Sequence, residues 1–213
     1  MKLTKDRIID AGMATFAEVG YQALSMRQVA ERLDVHAGSL YYHVRNKHAL
    51  LQLMADRVTR QAYDAGTAAL AALPEDAGWR ERIEAQARTL RESIKRHPGG
   101  AILLADSPKV LSDGALSLME RLLRTLADAG VPERERIIGA DAVLSYVTGF
   151  VLQEQSESAV PAAGAVSADL GERFPLTVEG APMYEEDEMF ARSIRLLCAG
   201  IGNLLGGNAD TGE

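Results

Sequence analysis

The chain has 213 residues, 47% hydrophobic and 25% charged, an ordinary globular balance that at this length hides about 70% of the unfolded surface. A single cysteine, Cys198, excludes an intrachain disulfide and fits a reducing, cytoplasmic compartment; "MKLTKDRIIDAGM" is too charged for a secretory signal, and no run approaches the roughly 18 apolar residues of a membrane span. The net charge of −7 is unevenly spread, with nine Lys and Arg against six Asp and Glu in residues 1–60 and fourteen against twenty-four in the remainder, so a mildly basic head that can meet a polyanion precedes an acidic body.

Strand alternation of useful length is absent, and the periodic signals are helical, which predicts an all-α chain. Ile9, Met13 and Phe16 share one face of a first helix over 4–19, with Gly20 as a left-handed stop. Ser25 opens a second helix. With Gln28 it forms an S-x-x-Q capping box in which each side chain satisfies an orphan backbone N–H, and Val29, Ala30 and Leu33 supply the buried face. Asp34 and Val35 interrupt, and a short helix follows over 37–43. Asn46 caps a long helix over 47–72, striped by Leu50, Met54, Val58 and Gln61.

Residues 74–78 read as a linker. Trp79, Ile83, Leu90 and Ile94 mark the next helix, closed by "HPGG" at 97–100, and "AILLADSP" makes one or two turns ended by Pro108. Leu116, Met119, Leu123 and Leu126 stripe a further helix that Gly130 stops. Pro132 takes the favoured first position of another, which carries Ile137, Asp141, Leu144, Thr148 and Val151 to about residue 155. Residues 156–183, rich in Ala, Gly, Ser and Pro, read as a long mobile loop. The last helix spans 185–205, with Phe190, Ile194, Leu197, Ile201 and Leu204 in register. It and the 132–155 helix are apolar on more than one face ("SIRLLCAGIGNLL" and "VLSYVTGFV"), which predicts a four-helix contact between two copies and hence a homodimer.

Helix, break and short helix over residues 26–43 is the arrangement of a helix-turn-helix. Ala37, Gly38 and Ser39 are small and let the backbone approach base edges and thymine methyls. Tyr41, Tyr42 and His43 reach phosphate oxygens without the ordering cost of a long lysine, and His36 opens the same helix. Lys47 adds a charge beside a helix N-terminus aimed at a phosphate. The alternative is a helical bundle with surface tyrosines: a small-molecule-binding protein or enzyme that does not touch DNA.

The stretch "LTKDRIIDAGMATFAEVGYQALSMRQVAERLDVHAGSLYYHVRNKHALL" closely resembles the DNA-binding head of the tetracycline-repressor (TetR) family of bacterial regulators. "SLYYHVRNKHALL" carries the most specific part of the match. The likeness continues more weakly through "HPGGA" and "GFVLQEQ". The resemblance implies a three-helix DNA-binding domain over 1–46, a connecting helix over 47–72 and a ligand-binding and dimerisation domain over 73–207. It also implies a homodimer on a pseudo-palindromic double-stranded operator, with a small-molecule effector that releases it. It places Arg27 as a base or phosphate contact and Ser25 and Lys47 as phosphate contacts. Ala37 and Gly38 stand where the tetracycline-binding branch carries larger residues, so a different operator is expected. Asp34 stands where the turn usually has glycine.

No H-E-x-x-H, C-x-x-C, glycine-rich phosphate loop or G-x-S-x-G occurs, so neither an enzyme nor a cofactor is expected. His97 reads as a cation at a helix C-terminus, and by the resemblance as the position that meets a drug-held magnesium. Ser145 and Gln153 fall where that branch places a second histidine and a carboxylate. Serine and glutamine are poor partners for magnesium, so the expected effector is mainly apolar and bound without a metal. Asp141 on an apolar helix is either a ligand contact or half of a structural pair. Tyr63, Trp79, Leu103, Leu104, Met119, Ser145, Thr148 and Gln153 are candidate pocket residues, each of which also reads as core.

Overall fold

The computed structural model describes residues 2–106, 112–156, 168–180 and 185–205, and among them the secondary structure is helical. In chain order the helices are α1 (Lys5–Ala23), α2 (Met26–Leu33), α3 (Ala37–Tyr41), α4 (Lys47–Ala71), α5 (Trp79–Lys95), α6 (Gly100–Asp106), α7 (Asp113–Asp128), α8 (Glu133–Glu154), α9 (Ala168–Arg173), α10 (Pro175–Gly180) and α11 (Glu186–Asn203).

Local chemistry sets most of the boundaries. The Thr4 hydroxyl accepts from the Arg7 amide at 3.3 Å, and Gly20, with φ +76°, breaks the helical path near the end of α1. Ser25 caps α2 by accepting from the Gln28 amide at 3.3 Å. The reciprocal arm of the expected capping box is not made, because Gln28 Oε1 instead accepts the Ser25 hydroxyl at 2.8 Å. Asp34 takes φ 54° and ψ 49°, the left-handed geometry that aspartate tolerates better than most residues. Asn46 caps α4 through the Ala49 amide at 2.8 Å. Pro132 stands at the cap of α8 rather than inside it. The third helix is shorter than expected, ending at Tyr41. In the expected 156–183 loop, α9 and α10 are helical; residues 157–167 and 181–184 lie outside the described residues.

Helix α4 belongs to both ends of the molecule. Its first half packs on α1, and its second half packs on α5 and α7. Leu50 and Met54 close the head core with Ile8, Val29 and Leu40, and Val58 and Ala62 join the body core with Ile83, Ile94, Leu103 and Leu126. The head also touches the body directly. Phe16 lies against Gly99, where φ is +70° and an added Cβ would sit 2.7 Å from the ring. The Tyr21 hydroxyl donates to the Asp106 carbonyl at 3.3 Å.

Helices α8 and α11 pack on each other and on α5. The buried face of α8 is Gly139, Ala140, Val143, Val147 and Val151, so Ile137 and Asp141 face outward and the expected burial of Asp141 is corrected. The buried face of α7 is Gly114, Leu118, Leu122, Thr125 and Leu126, rotated from the expected stripe; Leu116 is exposed. Cys198 is buried in α11, and burial pushes its thiol up to about 11, the behaviour of an inert core residue.

Candidate nucleic-acid interface and internal cavities

In the head, α3 is pinned by Leu40 and by Val44 just after it, both buried. Of the rest of this short helix, Gly38 and Tyr41 look outward. Tyr42 is 91% exposed and Tyr41 53% exposed, with His36, Gly38 and His43 exposed beside them and Ala37 and Ser39 half-buried. An added Cβ at Gly38 would meet nothing within 4 Å. Packing therefore does not require this glycine; what its missing side chain leaves open is the outer backbone of α3.

Arg27 projects from α2 and pairs with Glu31 at 2.8 Å, both side chains being exposed. Such a pair is worth little and exchanges readily for another anion. Ser25 spends its hydroxyl within its own cap. Lys47 differs from expectation in its surroundings: its Nζ donates to the Tyr21 and Gln22 carbonyls at 3.0 and 3.2 Å and lies 5.6 Å from the Tyr21 ring centre, so it closes the C-terminal end of α1.

The body scatters the pocket candidates. His97 Nε2 lies 2.8 Å from Gln61 Oε1. Burial, with the Arg96 and Arg57 charges, holds the His97 pKa below the ordinary imidazole range, so its ring is neutral at pH 7. Thr148 returns its hydroxyl to the Leu144 carbonyl at 2.9 Å. Leu103 is wholly buried, while Tyr63, Leu104 and Met119 are partly buried against the core. Asp141, Ser145 and Gln153 are exposed on α8.

Two other spaces stand out. An open groove of about 770 Å³ runs between α5 and α11, lined by Arg88, Arg91, Lys95, Asp187 and Phe190 among others. A water-sized space of about 10 Å³ lies between α5, α7 and α8, walled by Leu90, Leu118, Leu122, Val143 and Leu144 and touched by Gln86 and Arg121.

Around that second space is a polar cluster that the sequence reading did not single out. Arg121 Nε donates to Gln86 Oε1 at 3.0 Å. Its Nη1 donates to the Tyr63 carbonyl at 2.6 Å and to Thr67 Oγ1 at 2.9 Å, and the guanidinium lies 4.5 Å from the Tyr63 ring centre. Gln86 Nε2 donates to Thr125 Oγ1 at 3.0 Å. The signal was available: Gly114, Leu118, Arg121 and Thr125 recur at helical spacing, so an arginine stands on the stripe that faces inward.

Residues 8–54 match the family described as bacterial regulatory proteins, tetR family, and residues 71–205 match the tetracyclin repressor-like C-terminal domain. An HTH-type transcriptional regulator of Saccharopolyspora erythraea is 34% identical over 154 residues, 71% of this chain but 61% of the relative. The chain thus spans less than two thirds of that relative's length. ActR of Streptomyces coelicolor, solved in complex with actinorhodin, superposes with a TM-score of 0.79 at 25% identity, covering 97% of this chain and 99% of that one. BioQ, solved with its natural double-stranded DNA operator, superposes with a TM-score of 0.68 at 28% identity, covering 95% and 99%.

Proposed function

The chain belongs to the tetR family of bacterial regulators, and from that premise we propose that it is a transcriptional repressor, acting in the cytoplasm, that a small molecule releases from its DNA operator. The observation that carries this reading is the outward display of Tyr41, Tyr42 and Gly38 around a short helix anchored by Leu40 and Val44, with Ala37 half-buried against the core. A helical bundle that did not bind DNA would leave that surface without a purpose. BioQ with its operator and ActR with actinorhodin support the two kinds of partner. One helix-turn-helix offers few base contacts, so two heads of a dimer read a pseudo-palindrome with half-sites about 34–36 Å apart. The effector acts by binding the released arrangement of the heads more tightly than the DNA-bound one.

Fluorescence anisotropy with duplexes from the DNA flanking the gene tests the reading. The expected dissociation constant for the operator is about 10⁻⁸ M or below at physiological salt, at least about 10³-fold tighter than for an unrelated duplex. Equal affinity for both would overturn it. Arg27→Ala and Tyr42→Ala should each weaken operator binding by about 1–3 kcal/mol. Both side chains stand in solvent, so the unfolding temperature should stay unchanged. Lys47→Ala should lower the salt slope by about one, and it should also loosen the head, because its ammonium holds the end of α1. Wild-type operator affinity in both the Arg27 and Tyr42 variants would remove α2 and α3 from the groove.

The effector is mainly apolar and bound without a metal. A tetracycline-type magnesium site needs a histidine and a carboxylate where this chain has Ser145 and Gln153, and His97 is already paired with Gln61. Neither serine nor glutamine supplies the carboxylate that magnesium usually takes. Calorimetric titration with tetracycline and magnesium should show no binding. Micromolar affinity that disappears in a chelator would restore the antibiotic as effector.

A further inference from the structure

Three of the chain's four histidines, His36, His43 and His48, stand around α3 and the start of α4. The fourth, His97, is half-buried in the body, where its ring pairs with Gln61 and is held neutral. The other three are treated in the opposite way. His36 precedes α3 without capping it through its side chain, His43 follows the exposed Tyr42 past the end of that helix, and His48 lies in the first turn of α4. All three are exposed, as is Arg45 between them. Among the described residues none of these four side chains has a hydrogen-bond or ion-pair partner.

The fixed charge around them has one sign. Residues 35–55 contain Arg45 and Lys47 and no Asp or Glu, although the chain as a whole has more acids than bases. The formal charge of this stretch is two with neutral imidazoles and five with all three protonated. Most carboxylates on the neighbouring elements are committed: Glu31 of α2 to Arg27, Glu18 of α1 to Arg32, and Asp56 of α4 to Arg60 and the Gly114 amide. Asp34, exposed at the left-handed turn before α3, is the nearest other carboxylate along the chain. Further positive charge beside Arg45, Lys47 and the positive end of α4 is disfavoured in the free protein and favoured once a phosphate lies alongside.

We infer that operator binding by this protein is proton-coupled: His36, His43 and His48 take up protons as the head closes on the DNA backbone, and Arg45 supplies a permanent phosphate contact beside them. This inference rests on the reading of the protein as an operator-binding repressor. The Lys47 ammonium already donates to the Tyr21 and Gln22 carbonyls, so Arg45 and His48, close to it on either side, are the side chains at the start of α4 with all their donors open to a phosphate. Histidine is the side chain whose ordinary ionisation falls between about pH 5 and 8. A ring that meets a phosphate holds its proton more tightly in the complex than in the free protein. Affinity therefore rises as pH falls through the histidine range and levels off where the rings are protonated in both states. Acid would tighten repression without any change of effector.

The test is fluorescence anisotropy of the full chain with its operator duplex at about pH 6 and about pH 8, at matched ionic strength. Calorimetric titration of wild type in two buffers of different ionisation enthalpy counts the protons taken up and needs no variant. Wild type should bind at least about fivefold more tightly at the lower pH, the gain when one imidazole holds its proton about one pKa unit more tightly on DNA. Its salt slope should be steeper there, and binding near pH 7 should take up at least about half a proton. His36→Gln, His43→Gln and His48→Gln together should abolish the pH dependence, and each alone should remove part of it. Arg45→Gln should lower the salt slope by about one at both pH values and keep the pH dependence; an unchanged slope would remove Arg45 from the contact. Equal wild-type affinity at the two pH values, no proton uptake, or a pH dependence that persists in the triple variant would overturn the proton coupling and leave the repressor reading intact. Absence of operator binding at both pH values overturns the two together.

Discussion

Ile138→Glu combined with Leu196→Glu is expected to turn the protein into a folded 23.0 kDa monomer that no longer holds its operator. Leu196 is 73% exposed and Ile138 62% exposed, and Ile137, Met189 and Leu152 stand in solvent on the same two helices, α8 and α11. An added Cβ at Gly200 would meet nothing within 4 Å, so this part of α11 can take a close helix neighbour. Burying one such Leu or Ile is worth about 1.5–3 kcal/mol, and several together with their counterparts in a second copy suffice to hold a dimer. A buried unpaired carboxylate reverses that gain. A monomer offers one head to DNA and loses half of the contacts. Sedimentation velocity and anisotropy measure the two consequences, and a double variant that remains dimeric would remove α8 and α11 from the interface. The choice of residues matters. Ile201 and Cys198 are buried within the subunit, so a charge there would unfold the chain and say nothing about association.

Arg91→Met is expected to destabilise the subunit by about 3–5 kcal/mol, the cost of leaving a buried carboxylate without its main partner. Arg91 and Glu154 each have side chains only 7% exposed. Lys95 adds a contact to Glu154 at 2.8 Å, Asp187 approaches from the start of α11 at 2.7 Å, and the guanidinium lies 4.7 Å from the Phe190 ring centre and 5.2 Å from that of Phe150. This one arginine therefore fastens α5, α8 and α11 together. Arg91→Met with Glu154→Leu should recover most of the loss, since replacing a whole buried pair with apolar groups is often neutral. Urea unfolding of the four proteins in the cycle measures the coupling, and a double variant as unstable as the sum of the singles would contradict it.

The same pair makes stability depend on pH. Burial raises the Glu154 pKa, but hydrogen bonds and charge from Arg91 and Lys95 outweigh it and hold the carboxyl below its ordinary range. A carboxylate whose folded pKa is depressed contributes stability above its unfolded pKa, near 4.3, and that contribution is lost as pH falls through the lower folded value. Glu154→Gln should therefore be less stable than wild type at pH 7, and the difference should shrink below about pH 4.

What could be read from the sequence was whatever neighbours in the chain decide. Asn46 meets Ala49, Asp34 turns left-handed, Gly20 and Gly130 take positive φ, and Tyr41 and Tyr42 stay out while Leu40 goes in. Each of these depends on residues within four positions, and the cap at Ser25 and the presence of a short helix after Asp34 were legible for that reason. The faces of α7 and α8 were not. Both helices carry apolar residues around much of their circumference, so periodicity alone offers more than one inward face. Only packing against α4, α5 and α11 decided that Asp141 and Ser145 face out and that Arg121 faces in. Nor does the sequence say that Arg91 meets Glu154 across 63 positions while Arg121 meets Gln86, Tyr63 and Thr67. Local backbone chemistry fixes caps and turns with a few atoms, whereas the counter-charge of a buried residue is chosen by helices that are distant in sequence and adjacent only after folding.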